Sequence, residues 1–263
     1  MKWEGNRESD NVEDRRGSGG GGMPVFGGRS IGIGTIVIAL VGGWVLGINP
    51  LTILGLLSGG GMPAQVQQAP AQRPPADDTM ARFVSTVLAD TEDVWQTVFR
   101  EGGGRYQEPR LVLFRGATPT ACGTGQAAMG PFYCPADQKV YIDLGFYETL
   151  KSRLGAPGDF AQAYVIAHEV GHHVQHLLGI TSKVDQMRGR VSQKEYNAMS
   201  VRLELQADCF AGVWAHHAQN ARQILEQGDV EEAMNAAARI GDDALQRASG
   251  GAVVPDSSPT AAA

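Results

Sequence analysis

The stretch HEVGHHVQH, residues 168–176, sets four histidines and one glutamate within nine residues. The chain has six histidines in all, and the other two are His216 and His217. In an α-helix, side chains four apart share a face. His168, His172 and His176 therefore form one row, and Glu169 and His173 form the row beside it. Two pairs are spaced to clamp a single ion, His168/His172 and His172/His176. Only the first has a glutamate directly after its leading histidine. In a helical His-Glu-x-x-His, two imidazoles hold zinc and the glutamate reaches the water that attacks a carbonyl. This reading makes His168 and His172 ligands and Glu169 the general base. His173 and His176 fall outside it. The bland alternative is a polar helix face rich in histidine. Against it stand the apolar lead-in of Tyr164 to Ala167, the small Gly171 inside the motif, and the strand KVYIDL upstream, placed as a substrate-lining edge strand would be.

A catalytic zinc takes a third protein ligand and keeps a fourth position open. A third histidine in the pattern His-Glu-x-x-His-x-x-Gly-x-x-His is excluded, because Gln175 and Leu178 occupy the glycine and histidine positions. The alternative is a carboxylate from a second helix. The segment LELQADCFAGVW carries Glu204 and Asp208, four apart on one face, among apolar neighbours that make a buried role for them. Glu204 is expected on the metal and Asp208 on a ligand imidazole. The reverse assignment stays open.

Around this centre the chain divides by composition. It has 263 residues and a net charge of −6 with both signs mixed, which shows no electrostatic footprint for nucleic acid. Residues 1–29 are polar, then glycine-rich, and read as a flexible tail. Residues 30–58 read SIGIGTIVIALVGGWVLGINPLTILGLLS. No charge occurs from Ser30 to Gln72, and the run Ile31–Ile48 approaches the roughly 20 residues of a membrane-spanning helix. It is too long for a cleaved signal's apolar region. Lys2, Arg7, Arg15, Arg16 and Arg29 precede it, and only Arg73 follows closely. The positive-inside rule then expects a single pass through the plasma (inner) membrane, with a cytoplasmic N-terminus and everything after residue 58 extracytoplasmic. Residues 59–77 read as a Gly/Pro/Gln linker.

Residues 78–250 form the expected domain, α+β and mostly helical, with a small sheet. Helices are expected over Thr79–Arg100 with Asp78 as N-cap, Tyr147–Leu154, Asp159–Leu178, Glu195–Gln219 and Val230–Ile240. Strands are expected at Arg110–Phe114 and Lys139–Leu144. Cys122 and Cys134 flank a Gly-rich loop, and a disulfide between them would be worth roughly 3 kcal/mol on the chain-entropy model. That pairing agrees with an extracytoplasmic domain. Cys209 reads as a small buried residue, Trp95 and Trp214 as core, and Asp143 as a carboxylate able to orient substrate backbone. Residues 251–263 read as a disordered tail.

HEVGHHVQ followed by ELQADCFAGVW resembles the neutral zinc metallopeptidases, a family of bacterial membrane-anchored proteins. WEGNRESDNVEDRRG, YCPADQKVYIDLGFY and GAPGDFAQAYVIAHEVGHH resemble it too, so the likeness spans most of residues 1–255. It implies a gluzincin-like fold, a Zn2+ cofactor and hydrolysis of peptide bonds. Family members continue past VVPDS with a Thr-His-Gly stretch, where this chain ends in SPTAAA. If that histidine serves an oxyanion, its substitutes here are Tyr133, Tyr141, His216 and His217. The expected function is a membrane-anchored zinc metallopeptidase acting on extracytoplasmic proteins or peptides, without nucleic acid as partner. Two competing readings are a catalytically weak, zinc-bearing pseudo-protease that binds peptides or scaffolds the envelope, and a tethered scaffold with no stoichiometric metal.

Overall fold

The Asp78 side chain accepts a hydrogen bond from the Ala81 backbone N–H and starts helix α1, Thr79–Glu101. The computed structural model in which this is seen describes residues 1–17, 72–126, 130–152 and 158–240. After α1 come strands β2 (Arg110–Phe114), β3 (Ala117–Thr120), β4 (Gly123–Gln126), β5 (Phe132–Cys134) and β6 (Lys139–Asp143). Helices α2 (Gly145–Ser152), α3 (Asp159–Leu177), α4 (Ile180–Asp185), α5 (Gln193–Arg222) and α6 (Asp229–Ile240) follow. Strand β1, Val12–Asp14, precedes them all. The described residues belong to one compact unit, and residues 18–71 lie outside the described residues. The expected span 30–58, the linker as far as residue 71 and the tail 251–263 therefore lie outside them too. Among the described residues no helix is long and apolar enough to cross a membrane.

The main sheet runs β1-β2-β6-β5, with β1-β2 and β2-β6 parallel and β5-β6 antiparallel. Its side chains alternate between two cores, as the pleat requires. Leu111, Leu113, Val140 and Ile142 face the large core shared with the helices. Val112, Phe114, Tyr141, Phe132 and Cys134 form a smaller core on the other face. There the antiparallel hairpin β3-β4 brings Cys122 to Cys134, and the two form a disulfide. KVYID is thus an interior strand and not the expected edge. Among the described residues the edge on that side is β5.

Helix α3 has buried residues all around its axis, from Phe160 to Gln175, as a helix running through a core must. It ends where Gly179 takes a left-handed φ of 70°, a conformation a side chain would resist. Helix α5 opens with a capping box in which Ser192 and Glu195 exchange hydrogen bonds. Gly171 lets α3 and α5 meet closely: a Cβ there would stand 2.9 Å from the Ala207 carbonyl oxygen.

Residues 1–17 are not the flexible tail expected of residues 1–29. Val12 is buried, and β1 pairs in register with β2, Val12 opposite Leu111. Glu13 is ringed by Arg15, Arg110 and Lys139 at 2.9–3.1 Å. Arg7 pairs with Glu92 and Asp93, and the Trp3 ring meets Phe83 edge-on. Composition marks this segment as charged, but its partners lie about 80 to 130 residues away in sequence, so the pairing is invisible locally. This packing also overturns the expected opposite sidedness, because β1 and α1 stand on one side of any membrane. Residues 72–77 lead directly into the Asp78 cap, and the Asp14 N–H bonds the Gln72 carbonyl at 2.7 Å. Cys209 is exposed on α5, contrary to its expected burial. Asp143 is buried and accepts from the Gly116 and Gly145 N–H groups, each at 2.7 Å, so its carboxylate oxygens brace two turns.

Candidate metal centre

Helices α3 and α5 cross at Gly171 and Ala207, and the charged cluster sits beside that crossing. His168 Nε2 and His172 Nε2 stand 3.1 Å apart. Glu204 Oε2 lies 3.3 Å from the first and 3.4 Å from the second. Two tetrahedral zinc ligands at the usual bond lengths sit about 3.3 Å apart. The triangle therefore has the size of one face of a zinc tetrahedron, and the three residues converge as a group able to hold a metal ion.

The far side of each imidazole explains the near side. His168 Nδ1 is 2.8 Å from Asp208 Oδ1. A carboxylate in an ion pair accepts, so Nδ1 carries the proton and Nε2 is left with its lone pair. His172 Nδ1 is 3.0 Å from Gln175 Oε1, with the same result. Two nitrogen lone pairs and a carboxylate oxygen pointing at one space call for positive charge between them, a metal ion or the protons that the imidazoles take up in its absence.

The electrostatics agree. Burial works against charge on His168, but hydrogen bonds to Asp208 and Glu204 outweigh it and push its pKa up to about 10. Burial also opposes charge on His172, and Glu204 again raises its pKa. Burial would raise Glu204, yet the two imidazoles hold its carboxyl far below the usual range. Asp208, likewise opposed by burial, is held low by His168 and Tyr164. Tyr164 donates its hydroxyl to Asp208, so a three-member chain of Tyr164, Asp208 and His168 runs back from the ligand nitrogen.

Glu169 is buried, and burial raises its carboxyl, with His172 and His168 partly offsetting the rise. It also accepts from the Tyr133 backbone N–H. A carboxylate moved toward neutrality is suited to take and return a proton. Tyr133 holds the same helix a second time, its hydroxyl 2.9 Å from His173 Nδ1. His173 Nε2 lies 2.6 Å from the Gln107 carbonyl, which can only accept. His173 is therefore the Nε2–H tautomer and takes the Tyr133 proton at Nδ1. Burial lowers its pKa to about 4, so it is a neutral brace between α3, β5 and the loop before β2.

Of the residues proposed as oxyanion partners, the Tyr133 hydroxyl is committed to His173, and the Tyr141 hydroxyl to Asp137. His216 is exposed and bonded to Asn220 one turn along, and His217 stacks edge-on against it. Two residues behind the ligand imidazoles escaped the sequence reading in these roles, Tyr164 and Gln175, and for both a signal existed. Tyr164 precedes His168 by four and Gln175 follows His172 by three, so each shares its partner's helix face.

With the geometry established, comparison with known proteins adds a lineage. The model of a family described as putative neutral zinc metallopeptidase matches residues 1–262. The chain belongs to this family. A relative within it, the uncharacterized protein YpfJ of Escherichia coli (strain K12), is 54% identical over 264 residues, covering 98% of this chain and 89% of its own. The uncharacterized protein Rv2575 of Mycobacterium tuberculosis (strain ATCC 25618 / H37Rv) is 38% identical over 187 residues, covering 66% of this chain and 61% of its own. No solved structure matches the chain.

Proposed function

We propose that this protein is a zinc-dependent metallopeptidase, with His168, His172 and Glu204 as ligands. The observation that carries this is the triangle of 3.1, 3.3 and 3.4 Å between two lone-pair nitrogens and a carboxylate oxygen. Zinc bound there would supply the acidity that makes water nucleophilic near neutral pH. Glu169 stands one residue from His168 and takes the proton from that water. It then returns the proton to the leaving amine. Asp208 and Gln175 hold the imidazoles in their tautomers throughout.

The substrate class is protein or peptide. Strand β5 is the outermost of its sheet among the described residues and is tied to Glu169 through Tyr133. An extended chain pairing along it would present a carbonyl toward Glu169. Attachment to the plasma (inner) membrane through residues 30–58 is part of the proposal, supported by the absence of charge from Ser30 to Gln72. The Cys122–Cys134 disulfide supports an oxidising compartment for the domain.

The test uses the full chain, because residues 1–17 are part of the domain. Metal content is measured for wild type, Glu204→Ala and Glu169→Gln, alongside cleavage of a peptide library. One zinc per wild-type chain is expected, lost with Glu204→Ala. Glu169→Gln should keep its zinc and lose about 100- to 10,000-fold in rate. A wild type that binds no zinc, or a Glu169→Gln variant that cleaves at the wild-type rate, would sink the reading.

A further inference from the structure

The two ligand imidazoles are held by different chemistry. His168 leans on the anion Asp208. His172 leans on Gln175, a neutral amide that is fully buried. An amide can present either its oxygen or its NH2 group, so in isolation it does not set a histidine tautomer. Here the surroundings decide. Gln175 Nε2 lies 2.6 Å from the Leu203 backbone carbonyl and 3.2 Å from Gln206 Oε1. The Leu203 carbonyl can only accept, so the NH2 group must face it. Oε1 must then face His172, and His172 Nδ1 must donate. Its Nε2 is left bare, aimed at Glu204 and His168.

Leu203 is also the residue immediately before Glu204. One buried side chain thus touches the second imidazole at one end and the backbone beside the third ligand at the other. We infer that Gln175 is a positioning residue for the metal centre: it sets the His172 tautomer and couples that imidazole to the segment of α5 that carries Glu204. This rests on the metallopeptidase reading above, and it assigns Gln175 a role in metal affinity and coordination geometry rather than in packing alone.

Two substitutions separate the two ends of the amide. Gln175→Met keeps the length and removes both contacts. Gln175→Glu keeps an acceptor for His172 Nδ1 but loses the donors to Leu203 and Gln206. In the full chain, zinc affinity is measured by chelator competition, the visible spectrum of the cobalt-loaded protein reports coordination geometry, and the melting of the metal-free protein reports packing. Gln175→Met is expected to lose about 10- to 100-fold in zinc affinity, the range for removing a hydrogen-bond partner of a ligand, with an altered cobalt spectrum. Gln175→Glu should recover most of that affinity and the wild-type spectrum while melting at least as low as Gln175→Met, because a carboxylate oxygen then faces the Leu203 carbonyl. Imidazole 15N signals of the zinc-loaded wild type should show His172 protonated at Nδ1, a readout that stands even if a variant does not fold.

Wild-type zinc affinity and spectrum in Gln175→Met, or zinc bound through His172 Nδ1, would overturn the inference. Equal affinity losses in both variants, matched by equal falls in melting, would overturn it as well by reducing Gln175 to packing. A wild type that binds no zinc would bring down the metallopeptidase reading and this inference together. That outcome is distinct from the others because it appears before any Gln175 variant is compared.

Discussion

Asp159, Asp229 and Glu232 converge near the start of helix α3, and His168, His172 and Glu204 converge at its middle; in both sets one ligand atom per residue lies within 4.8 Å of the others. By distance alone they are alike. By chemistry they are not. The first set is all oxygen, and the Met1 ammonium approaches it, 2.6 Å from Asp159 and 3.5 Å from Asp229, with Glu226 at 3.1 Å. Part of its charge is offset by the chain's own ammonium group. The second set mixes two imidazole nitrogens with one carboxylate, and each imidazole has its far nitrogen engaged by a partner that only accepts there. Convergence of acids is common on protein surfaces. Convergence of bare imidazole nitrogens, with their tautomers fixed from behind, is the arrangement that zinc selects.

The sharpest way to break this comparison is to remove one carboxylate from each set. Glu204→Ala should lower zinc affinity by more than about 100-fold, since it deletes a ligand outright. Asp229→Asn should leave zinc stoichiometry and affinity unchanged in the same chelator titration and show its effect only as lowered melting. Zinc lost equally from both would mean that the two sets are not distinct.

A smaller effect is expected from the crossing that positions the second set. Gly171→Ala places a methyl 2.9 Å from the Ala207 carbonyl oxygen. Neither backbone can move without the other, so overpacking should cost about 1–3 kcal/mol in thermal or denaturant unfolding. Zinc affinity should fall with it, because Glu204 rides on the helix that is pushed away. A Gly171→Ala protein with unchanged zinc affinity would show that the helix spacing does not tune the site.

The mildest test is pH. His168 has its pKa pushed up to about 10 and His172 is also raised. His168 is therefore largely protonated at pH 7 in the metal-free protein, His172 is shifted in the same direction, and zinc must displace the protons they hold. Calorimetry in buffers of different ionisation enthalpy should find proton release on zinc binding at pH 7, shrinking toward zero as pH rises past about 10. The sign for folding is the opposite. A raised histidine pKa stabilises the metal-free fold fully below the unfolded value near 6.5, and this contribution is lost as pH climbs through about 10. The metal-free protein should thus melt lower at pH 10 than at pH 7, and loading with zinc should suppress the difference.

What was legible in the sequence follows the range of the interactions. His168, Glu169 and His172 are fixed by spacing within one helix, and the helix is written in its apolar lead-in and its glycine stop. Glu204 and Asp208 were readable because acids among apolar residues need a partner. The alternation of RLVLF and KVYID showed two strands but not their order, so KVYID looked like an edge when FYC is. Strand β1 was missed because three residues of a charged segment carry no periodicity, and their partners are brought in only by the folded sheet. Cys209 was misjudged because apolar neighbours in sequence, Ala207 and Phe210, point to different faces of the same helix.

The hydrogen bond between Asp14 and Gln72 has a further consequence. The described chain departs from the domain and returns to it at a single address, where Asp14 and Gln72 are hydrogen-bonded. Joining Gly17 to Gln72 through a short Gly-Ser turn would leave β1, its charge partners and the Asp78 cap where they stand. A chain closed in this way that still binds one zinc would show that the metal site needs none of the residues between Gly17 and Gln72.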